Sequence, residues 1–184
     1  MLYIALLHYP VCNKEGRVVA TAIANMDIHD IARTAKTYGA AAFFIVNPVD
    51  AQRDLAFRIV DHWRHGYGAS FNPSRKEAFE LVRIYGGLDE VVAAIESESG
   101  CKPRIIATGA NFQGRLLTYG ALREMLERND LPYLLIFGTG SGLADDVIRQ
   151  ADERLEPIRG TDGYNHLAVR SAVAVILDRI VDTK

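Results

Sequence analysis

The sequence predicts an α/β fold in which a mostly parallel β-sheet is flanked by helices. Apolar runs of strand length recur along the chain without alternating polar residues, a pattern typical of strands covered on both faces. Segments with helical spacing of apolar residues lie between these runs, as the βα units of a parallel sheet require. A glycine-rich turn directly follows one late apolar run, at the position where parallel sheets place ligand loops.

The elements follow from these two periodicities. Apolar runs rich in Val, Ile, Leu and aromatic residues predict strands over residues 2–8, 18–22, 42–46, 104–107, 133–137 and 155–158. Apolar positions three and four apart predict helices over residues 30–38, 51–63, 74–85, 88–97, 116–128, 144–153 and 167–182. We expect residues 1–184 to form one domain, because the length suits one and no linker interrupts the chain.

Several boundaries carry their own signals. Gly39 follows a helical segment as a C-terminal stop. Ser74 with Glu77 three residues later forms a capping-box pattern, which predicts a helix start at that serine. Residues 62–73 mix histidines, glycines and aromatic residues, which indicates either a functional surface loop or a connection whose aromatic rings pack on the core.

Composition limits the classes of partner. The net charge is −2, so an RNA-binding surface would have to come from a local cluster. One candidate is a basic set in the first half of the chain, although interspersed acids make a solvated surface equally reasonable: Arg53, Arg58, Arg64, Arg75 and Lys76. Two cysteines form no disulfide framework, and the apolar start lacks the features of a signal peptide or a membrane span. These features favour a cytoplasmic protein without a membrane partner.

The turn after the strand at 133–137 reads Gly138-Thr139-Gly140-Ser141-Gly142 and then Leu143. It differs from three known motifs. A dinucleotide fingerprint needs a glycine where Leu143 stands, a nucleophile elbow needs glycines two residues either side of Ser141, and a P-loop needs Gly-Lys-Ser/Thr. The remaining interpretations are a ligand loop of another kind and a purely structural strand-to-helix turn.

The C-terminal segment contains a second loop that leads into a helix. Ile158-Arg159-Gly160 is followed by the run from Tyr164 to Ala172, whose helix places small residues on one face. A loop of this kind offers free backbone N–H groups at the helix start, and the small residues favour close packing against a partner such as a second subunit.

Together with the run from Asp27 to Ala35, these two loops resemble the three motifs of the SPOUT family of methyltransferases. The likeness spans nearly the whole chain and is strongest in its last third. It implies that the chain threads through a loop as a deep C-terminal trefoil knot. It also implies S-adenosyl-L-methionine (SAM) as cofactor, an RNA substrate such as tRNA or rRNA, and a homodimer.

The resemblance further implies site residues. The positions that would contact SAM are Thr108, Gly109, Phe137, Gly138, Thr139, Gly140, Gly142, Leu143, Ile158, Gly160, Tyr164, Asn165, His166 and Leu167. Candidate catalytic residues are Arg33, Asn165, His166 and Arg170, which would hold a phosphate, orient the acceptor or move its proton. Their structural alternatives are helix capping and salt bridges on helix surfaces.

Departures from the family pattern keep the modified atom open. A ribose-methylating branch carries Asn where this chain has Asp27, and Ser-Leu-Asn where it has His166-Leu167-Ala168. A non-catalytic knotted dimer that binds SAM or RNA, and an NAD-dependent oxidoreductase, therefore remain alternatives. The pair His62 and His65 lacks further ligands nearby in sequence, so no metal site is expected.

Overall fold

The computed structural model describes residues 1–128 and 130–181. The strands are β1 (Leu2–Leu7), β2 (Val11–Cys12), β3 (Val18–Val19), β4 (Ala42–Val46), β5 (Val82–Tyr85), β6 (Arg104–Ala107), β7 (Tyr133–Gly138) and β8 (Glu153–Arg154). The helices are α1 (Asn25–Thr37), α2 (Asp50–Arg64), α3 (Tyr67–Phe71), α4 (Pro73–Phe79), α5 (Leu88–Ser99), α6 (Tyr119–Arg128), α7 (Asp145–Gln150) and α8 (Val169–Ile180), with a 3₁₀ turn at Thr161–Gly163.

Six strands form a sheet in the order β5-β4-β1-β7-β6-β8, and every neighbouring pair is parallel. Leu6 of the central strand β1 lies between Ile45 and Phe137 in register. The predicted mostly parallel sheet is therefore confirmed. Because the strands all run the same way, their carboxyl ends share one edge, which we call the carboxyl edge.

Apolar side chains bury both faces of the sheet. Strand β1 is buried along its whole length because it is the inner strand between β4 and β7. Its alternate residues enter two cores. Ile4 and Leu6 pack in one core with residues of α1, α2, α4, α6 and α8, whereas Ala5 and Leu7 pack in the other with residues of α5 and α7. This explains the continuous apolar runs, since neither face of the sheet meets water.

A short antiparallel hairpin of β2 and β3 follows β1 at the carboxyl edge. Val11 of this hairpin forms an isolated bridge with Leu143, which belongs to the turn after β7. Strand 18–22 was predicted, but only Val18–Val19 pairs there.

The predicted helix over 74–85 is wrong in its second half. Helix α4 ends at Phe79, and Val82–Tyr85 forms β5, which pairs with the free side of β4. Four residues of mixed polarity fit either periodicity, and tertiary pairing decides between them. The capping-box prediction at Ser74 is also wrong, because the side chain of Asn72 caps α4 by accepting from the Arg75 amide at 3.0 Å.

Two C-terminal boundaries also differ. The strand predicted at 155–158 lies earlier, at Glu153–Arg154, and Leu155 forms only an isolated bridge with Leu117. The last helix begins at Val169 rather than at 167, and position 182 of that prediction lies outside the described residues. Throughout residues 1–128 and 130–181, no helix combines the length and the apolar character that crossing a membrane requires.

Candidate functional site

Three loops with predicted cofactor contacts meet at the carboxyl edge. They are residues 138–144 after β7, residues 108–118 after β6, and residues 155–168 after β8. Their strands are direct neighbours in the order β7-β6-β8. Segments far apart in the sequence therefore form one side of one edge, as a ligand site of a parallel sheet requires.

The loop after β7 is built on close backbone approaches. A Cβ added at Gly138 would lie 2.5 Å from the Leu143 amide nitrogen, so the two ends of this turn leave no room for a side chain. Gly140 adopts φ +61°, and a Cβ there would lie 2.8 Å from the Cys12 carbonyl oxygen. Gly142 adopts φ +112°, which L side chains rarely tolerate. These glycines are required by the shape of the turn.

Backbone hydrogen bonds tie this turn to the segment after β1. The Ser141 amide donates to the Cys12 carbonyl at 2.8 Å, and the Cys12 amide donates to the Gly142 carbonyl at 2.9 Å. The Thr139 amide donates to the Leu7 carbonyl at 3.2 Å. The amide of Gly140, an exposed residue, donates no such bond within the described residues. The Phe137 side chain, in contrast, packs in the core.

The loop after β6 begins with buried residues. Thr108 is 8% exposed, and its hydroxyl donates to the Ile136 carbonyl at 3.0 Å. A Cβ at Gly109 would lie 2.8 Å from the Phe112 ring. The aromatic ring thus covers the glycine, and the start of this loop is held close to the end of β7.

The segment after β8 is more exposed. The side chains of Tyr164 and Leu167 are 71% and 48% exposed, and the ring of Tyr164 lies edge-on to that of His166. A Cβ at Gly160 would lie 2.1 Å from the Tyr164 carbonyl, so a tight bend closes here. Asn165 joins the segment to the loop after β6, because its side-chain amide donates to the Ala110 carbonyl at 2.7 Å. Ile158 packs against the core.

The four candidate catalytic residues fall into two groups. Arg170 binds two carboxylates of α1, with Nη1 at 3.1 Å from Asp27 and Nε at 3.4 Å from Asp30. Arg33 lies exposed on α1 three residues after Asp30. Both arginines line a depression of about 410 Å³ between α1 and α8, together with Asp30, Thr34, Thr37, Tyr38, Ser171 and Ala174. Asn165 and His166 do not line this depression.

Most of the predicted basic set is used within the fold. Arg64 donates to the carbonyls of Phe79 and Glu80, at 2.9 and 3.1 Å. Arg53 pairs with Asp50, and the guanidinium of Arg75 lies 4.6 Å from the centre of the Trp63 ring. The other two members, Arg58 and Lys76, are exposed. Three of the five basic side chains therefore have partners within the fold, and two are exposed to solvent.

The histidine pair is likewise engaged locally. His65 lies 2.8 Å from Asp61, and the ring of His62 packs edge-on against Trp63. In the part of the chain that the structure describes, no three His, Cys, Asp or Glu side chains converge on a point where a metal ion could bind.

His8 is a titratable residue at this edge that is absent from the predicted site residues. It directly follows β1, is 1% exposed, and its Nδ1 lies 3.0 Å from the Thr21 hydroxyl. Burial lowers the pKa of His8 to about 4, although the Asp27 carboxylate acts in the opposite direction. A histidine placed directly after a buried strand was the available signal, because such positions face the ligand edge of a parallel sheet.

Comparisons with known proteins agree with this architecture. Residues 1–182 match a family described as SAM-dependent RNA methyltransferase. A protein of Aquifex aeolicus is 42% identical over 179 residues, which make up 97% of this chain and 87% of that protein. A protein of Oleidesulfovibrio alaskensis named tRNA (guanine-N(1)-)-methyltransferase is 45% identical over 180 residues, 98% of this chain. The chain spans only 42% of the length of that relative.

Solved structures share the fold at low sequence identity. A methylase family protein from Neisseria gonorrhoeae superposes with a TM-score of 0.64 at 20% identity, over 97% of this chain and 80% of that one. A TrmH/SpoU tRNA modifying enzyme from A. aeolicus superposes with a TM-score of 0.54 at 16% identity, over 97% of this chain and 73% of that one.

Proposed function

This chain belongs to the SAM-dependent RNA methyltransferase family, and on that premise we propose that SAM binds in the three loops after β6, β7 and β8. This membership confirms the predicted class of RNA methyltransferase and its dependence on SAM, and solved structures that include a TrmH/SpoU enzyme support the SPOUT fold. One observation carries the assignment of the pocket. The predicted contact positions, spread from Thr108 to Leu167, come together at the ends of three adjacent strands.

The properties of these loops support the proposal. The close approaches at Gly138 and Gly160 make tight bends whose backbone groups can face a ligand directly. The free amide of Gly140 offers a donor for an adenine or carboxylate acceptor. Leu143 and Ile158 pack into the two cores beside these bends and thereby anchor the loops.

The transfer step needs little covalent help from the protein. Bound SAM supplies an electrophilic methyl group on its sulfonium. The residues of this chain then have to hold the acceptor in line and take up its proton. We propose that Arg33 and Arg170 hold a phosphate of the RNA at the depression between α1 and α8, and that Asn165 and His166 orient the acceptor beside the cofactor loops.

For the substrate we propose RNA, with guanine in tRNA as the first candidate. The name of the Oleidesulfovibrio relative supports tRNA, and this chain covers 42% of that protein. The named activity belongs to the whole relative, more than half of which lies outside the match. We assign no acceptor atom, because Asp27 and Ala168 replace the residues typical of ribose methylation.

We also propose that the C-terminal segment threads through the loop after β6 as a trefoil knot. Several contacts between the two segments support this arrangement. The Glu156 amide donates to the Leu117 carbonyl at 2.9 Å, the Glu156 carboxylate accepts from the Tyr119 amide at 2.7 Å, and Asn165 reaches Ala110. A crystal structure whose trace passes residues 155–168 outside that loop would contradict it.

We further propose that residues 1–184 form a single domain. Two copies of this domain would form a homodimer through α1 and α8. The depression with two arginines and small residues on these helices supports an interface that a second copy completes. Free, half-buried Cys12 and Cys101 support a reducing, cytoplasmic setting. Sedimentation equilibrium of the wild type and of Ser171→Glu tests the interface, since a charge there should shift the equilibrium toward monomer.

The decisive experiment measures binding and turnover separately. Calorimetry with SAM and with its demethylated product tests the pocket, with NAD as a competitor for the oxidoreductase alternative. A radiolabelled methyl assay on bulk tRNA and rRNA, followed by mass spectrometry of the nucleosides, identifies the acceptor. SAM binding without methyl transfer to either RNA would favour the non-catalytic alternative, and affinity for NAD alone would exclude the proposal.

A further inference from the structure

Three side chains form a line of hydrogen bonds across the carboxyl edge. Nδ1 of His8 lies 3.0 Å from the Thr21 hydroxyl, which in turn is hydrogen-bonded to the Thr139 hydroxyl. The Thr139 hydroxyl donates to the Leu7 carbonyl at 3.2 Å. The line joins the end of β1, the segment after the hairpin and the glycine-rich turn after β7.

The chemistry of these groups gives the line one direction. A carbonyl oxygen can only accept, so the single proton of the Thr139 hydroxyl is used on Leu7. Thr21 must then donate its own proton to Thr139, and its oxygen accepts from His8. In this direction of the line, His8 carries its proton on Nδ1 and its Nε2 holds a lone pair.

The surroundings of His8 agree with this tautomer. Nε2 is buried and no hydrogen bond of ordinary geometry reaches it within the described residues, although the Ala22 backbone interacts with the ring and favours its charged form. Burial also lowers the pKa of His8 to about 4, which keeps the ring neutral at physiological pH. The direction of the line is thus the same throughout the range in which the protein works.

We propose that His8 is a positioning residue for the cofactor: acting through Thr21, its Nδ1–H fixes the Thr139 hydroxyl and thereby the conformation of residues 138–143. Both the amide and the hydroxyl of Thr139 meet the Leu7 carbonyl, so this residue sets how the turn leaves β7. The next residue, Gly140, carries the amide that is proposed to donate to the ligand. The inference rests on the proposed function, because it takes this turn as part of the SAM site.

The test removes one hydroxyl from the middle of the line. In Thr21→Val the shape is kept but His8 loses its acceptor and Thr139 its donor. We expect the Kd for SAM to rise about tenfold, with kcat at saturating SAM changed less than about twofold. Thr21→Ser keeps the hydroxyl and should restore binding. Ser99→Ala, which removes a hydroxyl at the opposite edge of the sheet, serves as the matched control.

A second measurement does not depend on SAM or on any variant. Nitrogen-15 NMR of the wild-type protein at pH 7 should show His8 as the neutral Nδ1–H tautomer. A proton on Nε2, or a charged ring, would overturn the proposal even if Thr21→Val failed to fold. If the wild type binds SAM and a folded Thr21→Val binds it equally well, the positioning role is wrong. If the wild type itself does not bind SAM, the proposed function fails, and with it the cofactor role of this line.

Discussion

The loop after β7 and the segment after β8 lie at the same edge of the sheet but are held in different ways. The first is fixed by backbone hydrogen bonds to residues 7–12 and by the side-chain line from His8. At Gly138 and Gly140 a side chain would also clash with the neighbouring backbone. The second is bonded to neighbouring segments of the chain at Glu156 and Asn165 but leaves Tyr164 and Leu167 largely exposed.

This difference indicates how a ligand would be received. A loop that is already ordered loses little conformational entropy when it binds, whereas an exposed segment is ordered at the moment of binding. We therefore expect the loop after β7 to act as a preformed floor and residues 155–168 as the part that closes over the ligand. Each of the following predictions tests one side of this contrast.

The largest expected effect is on the fixed side and depends on pH. The pKa of His8 is lowered from its ordinary value of 6.5 to about 4 in the folded protein. Between these two pH values the unfolded chain therefore binds a proton at this histidine more readily than the folded protein does. The contribution of His8 is therefore complete above pH 6.5 and is lost as pH falls toward 4. The loss should reach about 3 kcal/mol in the free energy of unfolding.

Denaturant unfolding at several pH values measures this effect. The wild type should be compared with His8→Asn, whose side chain at position 8 does not titrate, so that the other titrating groups are common to both proteins. Parallel stability curves for the two proteins between pH 6.5 and 4 would show that His8 is not the buried neutral group described above.

A smaller effect is expected at Gly138. Alanine there would place Cβ 2.5 Å from the Leu143 amide nitrogen, so the turn has to open. We expect a loss of about 2 kcal/mol in the free energy of unfolding, typical of overpacking, and loss of measurable SAM binding. The control is Gly120→Ala in α6, where nothing lies within 4 Å of the added atom. A Gly138→Ala protein with unchanged affinity for SAM would contradict a preformed floor.

Arg170 lies in the first turn of α8, directly after the exposed segment, and connects α8 to α1, so its loss should have a moderate effect. In Arg170→Met the Asp27 carboxylate, which is 8% exposed, loses its cation, so stability should fall by about 1.5 kcal/mol. Adding Asp27→Asn should restore most of it. Arg149→Met breaks an exposed pair with Asp146 and should change stability by less than about 0.5 kcal/mol.

The smallest effect on stability is expected at Asn165. Asn165→Ala removes one hydrogen bond in a segment that is already exposed, so the free energy of unfolding should change by less than about 0.5 kcal/mol. Hydrogen exchange should then separate the two regions. SAM should slow exchange in residues 155–168 much more than in residues 138–144, and equal protection of both would remove the distinction between floor and closing segment.

Much of the fold could be predicted from the sequence. Strands β1, β4, β6 and β7 were placed within one residue of their ends, because buried parallel strands leave continuous apolar runs. Strand β5 was missed because its four residues stand at the sheet margin and carry no such run. Its identity depends on pairing with β4, which local sequence does not encode.

The candidate site was less accessible to sequence reasoning. Two of the loops could be named from their motifs and the loop after β6 from the family resemblance, yet the contacts that hold them involve residues far apart in the chain. Thr21 and Thr139 are 118 positions apart, and Arg170 reaches Asp27 across 143. Nothing in the neighbourhood of Thr21 or His8 indicates such partners, since side-chain networks are set by tertiary packing.

The pairing of Cys12 with the glycine-rich turn provides a spectroscopic handle on the pocket. Its thiol is free and half-buried, while its backbone is bonded to Ser141 and Gly142. The second free thiol, Cys101, precedes β6 at the opposite edge of the sheet. The emission of a fluorophore attached at residue 12 should therefore change when a ligand binds at the glycine-rich turn. The emission of the same label at residue 101 should not change, so it serves as a reference.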